Sequence, residues 1–196
     1  MTYARPPDDL LTLVQLCLNG DQGAMIRLVD RFQGQVFGLC YHMLGHRQDA
    51  EDAAQETFVR VLKNLHRWDG EREFEPWLFA IAGNRCRTAL SSRKRRQVVQ
   101  SPAGLTEQLA DSAPDAQLVR NLQEEVGLAL AKIRDDYRQA FVLFHEQELS
   151  YDEIAATMNV PLGTVKTWVH RARRELIDEL RQREIVQEPR HAMPRI

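Results

Sequence analysis

Seven of the eleven residues from Thr164 to Arg174 are polar or cationic, with no acid among them: Thr164, Lys166, Thr167, His170, Arg171, Arg173 and Arg174. The apolar residues between them, Val165, Trp168, Val169 and Ala172, recur by threes and fours, which puts them on one side of a helix and the donors on the other. A helix lying in a DNA major groove needs that division, with donors towards bases and phosphates and apolar residues towards its own domain. Lys166 and Arg171 suit phosphates as well as bases. The preceding residues supply the rest of a helix-turn-helix. Ser150 and Glu153 form a capping box, and Ile154, Ala155 and Met158 point inward. Asn159 stands where the turn needs a residue tolerant of positive φ, Val160 plugs the turn and Pro161 halts the first helix. Thr164 is expected to cap the second helix. A merely solvated basic helix would not need this turn chemistry.

A second basic element lies upstream. Six cations and no acid fall between Arg85 and Arg96: Arg85, Arg87, Arg93, Lys94, Arg95 and Arg96. Cations at the end of a helix complement its dipole, but a run of four exceeds that need. Beside a loop and aromatic residues, such a run suits the backbone of an opened strand. Trp77 and Leu78 are expected in the core, leaving Trp68 and the loop after it as the candidates for an unpaired base. A third constellation is acidic. Asp49, Asp52, Gln55, Glu56, Val59 and Lys63 share the side of a helix opposite Phe58 and Leu62, either as a plain solvated face or as a docking face for a basic partner. These carboxylates have no His companion, so no metal site is expected. Neither a phosphate-cradling Gly loop nor a nucleophile motif is present, so no catalysis and no cofactor are expected.

The elements that must position these groups read as helices almost throughout. Apolar stripes mark helices with Leu10, Leu11, Val14 and Leu18; with Met25, Ile26, Val29, Phe32, Val36, Cys40, Met43 and Leu44; from about Gln48 to Leu65; and from about Phe74. Asp8 or Asp9 is the expected cap of the first, and Gly20 and Gly45 end the first and second. Residues 97–116 contain two prolines and no stripe, and read as a flexible linker. Helical periodicity resumes at Gln117 and continues to about residue 185, and residues 186–196 read as a loose tail. The expected fold is therefore all-α, with two small helical domains over 8–96 and 117–185. Net charge is only −2, but its distribution is uneven: seven cations face three acids in residues 71–100, and three face seven in 101–136. Cys17, Cys40 and Cys86 are widely separated and are expected to be buried thiols in a reducing cytoplasm. No signal-peptide core or membrane-length apolar run is present.

Three segments, DAEDAAQETFVRVLKNL (49–65), FEPWLFAIAGNRCRTAL (74–90) and ELSYDEIAATMNVPLGTVKTWVHRARREL (148–176), together resemble bacterial RNA polymerase sigma factors of the extracytoplasmic-function (ECF) group. The resemblance implies partners: core RNA polymerase, promoter DNA and an anti-sigma protein. It gives the 49–65 face (Asp49, Asp52, Gln55, Glu56, Val59, Lys63) to polymerase. Residues 66–96 (Trp68, Asn84, Arg85, Arg87, Arg93, Lys94, Arg95, Arg96) fall to recognition and melting of the −10 element. The helix-turn-helix falls to the −35 duplex. Three residues depart from the family's habit: Gly83 stands where a basic or polar residue is common, Thr88 where Asp is, and Trp168 where Arg is. A stand-alone helix-turn-helix regulator would explain 117–183 and leave 49–96 without a role.

Overall fold

The computed structural model describes residues 9–97, 122, 125–183 and 185, and among them every regular element is a helix. The order is α1 (Leu10–Leu18), α2 (Gln22–Leu44), α3 (Arg47–Asn64), a 3-10 turn (Leu65–Arg67) and α4 (Phe74–Gln97). Helical residues 125–132 form α5, followed by α6 (Asp135–His145), α7 (Tyr151–Met158) and α8 (Leu162–Gln182). The predicted linker beyond Gln97, its continuation to 116 and the predicted tail of 186–196 lie outside the described residues.

Local chemistry sets the ends of these helices. Asp21 caps α2 by accepting from the Ala24 N–H at 2.8 Å, and Gly45, at φ 68°, closes it with its N–H on the Tyr41 carbonyl at 2.8 Å. His46 caps α3, its ring Nδ1 facing the Asp49 N–H at 3.5 Å. Asp9 sits at the N-cap of α1 without a side-chain hydrogen bond.

The first four helices bundle around Leu28, Phe32, Val36, Leu39, Met43, Val61, Leu78 and Phe79, all buried, with the Phe32 and Phe74 rings 5.2 Å apart. Two expected stripes are displaced. In α1 the buried residues are Leu13, Val14 and Cys17, while Leu11 and Leu18 are exposed; in α2 Ile26 is 62% exposed and Ala24 and Leu28 are inside. Both helices carry more apolar residues than one face can hold, so spacing alone admits two registers and the neighbouring helices choose. All three cysteines are buried as free thiols.

The second unit is a helix-turn-helix in which α6 and α7 both pack on α8, with Leu130, Ile133, Tyr137 and Ala172 as its own small core. The two units are not apart. α6 lies on α2, α7 lies on α4, and one hydrophobic core runs continuously from Leu13 to Val169. Around this join the Thr157 hydroxyl donates to the Pro76 carbonyl at 3.3 Å, Lys94 meets Asp135 at 2.8 Å and His42 meets Glu146 at 2.8 Å. Gln139 is fully buried against Gly83, where a β-carbon would run into its amide, and neither Gln139 polar atom has a hydrogen-bond partner. No periodicity announced this contact, because α6 is buried nearly all round, at Tyr137, Arg138, Gln139, Ala140, Val142 and Leu143.

Candidate nucleic-acid and polymerase interfaces

On α3, burial of Ala50, Ala53, Ala54, Thr57, Phe58 and Val61 turns the opposite face to solvent. Asp49, Asp52, Gln55, Glu56, Val59 and Lys63 are all exposed there, as a docking face requires. Val59 is 51% exposed, an apolar centre among charges. Asp52, Gln55, Glu56, Val59 and Lys63 line an open groove of about 500 Å³ together with Arg60 and, from α4, Arg85. Sequence reasoning missed Arg60, although its place one turn after Glu56 signalled it. It put Arg85 elsewhere, since nothing local links residues 29 positions apart. Arg85 Nη2 donates to Glu56 Oε1 at 2.8 Å, and Arg85 Nε lies 2.5 Å from Glu56 Oε2.

The basic stretch of α4 does not form one surface. A helix turns about 100° per residue, so consecutive cations radiate. Arg85 goes to α3; Arg87 donates back to the Asn84 side chain; Arg93 reaches the Leu44 carbonyl at 3.4 Å; Lys94 pairs with Asp135 across the join. Asn84 and Arg95 are exposed, and the side chain of Arg96 lies outside the described residues. The loop before α4 is braced. Asp69 Oδ1 accepts from the Glu71 and Arg72 N–H groups at 3.1 Å each, and Gly70 takes φ 72°. Trp68 is half-buried, its ring edge-on to Phe74 at 5.2 Å and its indole N–H on the Arg72 carbonyl at 3.0 Å. Trp77 is half-buried and Leu78 fully so, the core placement their spacing predicted.

In the helix-turn-helix, the Ser150–Glu153 capping box is present, with the Ser150 N–H on Glu153 Oε2 at 2.7 Å, and Asn159 takes φ 55°, ψ 51°. Thr164 does not cap α8. Pro161, at φ −61°, occupies the N-cap, so the helix starts at Leu162 and Thr164 lies half-buried in its first turn. Lys166, Thr167, His170, Arg171, Arg173 and Arg174 are all exposed, while Val165, Val169 and Ala172 are buried. Trp168 is half-buried, 6.1 Å from the Tyr137 ring and packed against both cores. Two cations are held in place: Arg171 donates to the Tyr137 hydroxyl at 2.8 Å, and Arg173 lies 3.1 Å from His145 Nε2. Burial and the adjacent Arg173 lower the His145 pKa and favour the neutral ring that can accept from Arg173. A hydrogen bond with Cys86, together with burial, keeps the Cys40 thiol protonated, which removes it as a nucleophile.

No described helix is long and apolar enough to cross a membrane. Residues 28–96 match the family Sigma-70 region 2, and residues 123–176 match Sigma-70, region 4. The chain is 36% identical over 171 residues to the ECF RNA polymerase sigma factor SigW of Bacillus subtilis (strain 168), an alignment covering 83% of this chain and 91% of SigW. It is 32% identical over 183 residues to the ECF sigma factor SigE of Mycolicibacterium smegmatis, covering 91% and 71%. Among solved structures, CnrH in complex with the cytosolic domain of CnrY aligns at a TM-score of 0.63 and 26% identity, covering 87% of this chain and 96% of that one. The sigma factor RpoE of Bartonella quintana, bound to the anti-sigma factor NepR, shares the fold at a TM-score of 0.67 and 21% identity, over 79% and 95%. With an exposed charged groove on one unit, an exposed basic helix on the other, and relatives matched along most of its length, this chain belongs to the ECF sigma factors of the sigma-70 family, the factors that direct RNA polymerase to promoters.

Proposed function

We propose that the 8–96 unit docks on core RNA polymerase through the exposed face of α3, while the loop at 68–73 and the exposed polar side of α4, with Asn84 and Arg95, capture the opened −10 strand. The 117–185 unit then reads the −35 duplex with α8. The observation that carries this reading is the simultaneous exposure of the α3 groove and the donor face of α8, on separate units. Neither unit need bind tightly alone, because a shared chain raises the effective concentration of the second contact. Stacking and backbone contacts on the opened strand would offset the few kcal/mol that unpairing costs. The chain supplies binding and positioning in the cytoplasm, and bond formation belongs to the polymerase. One solved structure of this fold is a complex with an anti-sigma factor, and a regulator of that kind is the further partner proposed here.

In vitro transcription with the full chain, purified core polymerase and a genomic template library tests the reading. Promoter-specific RNA that depends on the chain is expected. A chain that neither joins core polymerase nor starts any transcript would overturn it.

A further inference from the structure

Arg85 belongs by sequence to the basic stretch assigned to the opened strand, yet its side chain points the other way. It is only 18% exposed and spans from α4 to Glu56 on α3, where Nη2 donates a hydrogen bond to Oε1 at 2.8 Å and Nε lies 2.5 Å from Oε2 as a close ion contact without hydrogen-bond geometry. A planar guanidinium facing a carboxylate in this manner fixes the acid's orientation as well as its charge. Glu56 itself stays 49% exposed and lines the groove, so one side of the acid is held while the other remains open to a partner. A phosphate contact from Arg85 would require breaking this pair and withdrawing a mostly buried stem.

We infer that Arg85 is a positioning residue for the polymerase-docking groove: it holds Glu56 in the orientation presented to the polymerase, and it does not contact promoter DNA. The groove is thus composite, with α4 presetting a group on α3. This inference rests on the proposed assignment of the α3 face to polymerase.

The test is a double-mutant cycle on the full chain, read as affinity for purified core polymerase. Arg85→Ala is expected to weaken association about tenfold, a size ordinary for contacting residues that act as a unit. In a Glu56→Gln background the same change should cost almost nothing further. The salt slope for capture of a single-stranded −10 oligonucleotide by the assembled complex should be unchanged by Arg85→Ala. A slope reduced by about 0.7, the share of one phosphate on single strands, with polymerase affinity intact, overturns the inference. So does full additivity with Glu56→Gln. If Arg85→Ala fails to fold by circular dichroism, Arg85→Lys replaces it. Lysine keeps the charge but makes only a point contact, so it should show a smaller loss that again vanishes beside Glu56→Gln. Asp52→Lys separates the two levels of failure: if it leaves polymerase affinity unchanged, the docking face itself is misplaced.

Discussion

Asn159 is a non-glycine residue at φ 55°, between the two helices of the helix-turn-helix. Asn tolerates this left-handed conformation, whereas a β-branched side chain crowds its own backbone there by about 1–2 kcal/mol. Asn159→Val should therefore destabilise the chain by about that amount in urea unfolding, and Asn159→Gly should be close to neutral. The turn was legible from sequence because its chemistry is local: a Ser, a Glu three residues on, an Asn, a Pro. Thr164 was misjudged for an equally local reason. Proline can stand at either edge of a helix, and here Pro161 occupies the position expected for Thr164. The pairing of Arg85 with Glu56 was not legible because the partner lies on another helix, and no spacing rule reaches that far.

At the scale of single helices, α8 and α4 differ in how fully their charge is available. On α8 the donor face is exposed along its length, and the two cations that are engaged, Arg171 and Arg173, are steadied by side chains of α6. On α4 the cations are shared among α2, α3 and α6. Charge counts read from sequence could not show this difference: the α4 cations reach towards three neighbouring helices, whereas the α8 donors keep to one exposed face. If Lys166 and Arg174 each neutralise a duplex phosphate, replacing both with Ala should reduce the slope of log affinity against log salt by about 1.8. Fluorescence anisotropy on a −35 duplex, with the chain bound to polymerase, between roughly 50 and 200 mM salt measures it. An unchanged slope would remove both residues from the phosphate contacts.

For the molecule as a whole, the outcome least visible in the sequence is the packing of the second unit onto the first. Hydrophobic period defined each bundle, but the join depends on a missing side chain at Gly83 and on paired charges 41 and 104 positions apart along the chain, Lys94 with Asp135 and His42 with Glu146. The His42 pair gives the join a pH dependence. Burial lowers the His42 pKa, but the Glu146 carboxylate and the Gly38 carbonyl outweigh it, and the net shift is upward from an ordinary 6.5. A base whose pKa is raised by folding contributes its stability fully below the unfolded value and loses it as pH climbs through the folded one. The neighbouring His145, with a lowered pKa, acts in the opposite sense, so the comparison must isolate one ring. The loss in thermal midpoint caused by His42→Gln should be larger at about pH 6 than at about pH 8, a range that spans the ordinary imidazole value. Equal losses at both values would show that the pair gives the join no pH dependence.

The orphaned amide of Gln139 bears on how firmly the two units adhere. Enclosing a donor and an acceptor without partners forfeits about 1–3 kcal/mol that water would return on separation, which offsets part of what the surrounding apolar contact supplies. A leucine at that position would remove this cost and tighten the contact. With glutamine, the seam between the two units is held less firmly than its apolar area alone would hold it.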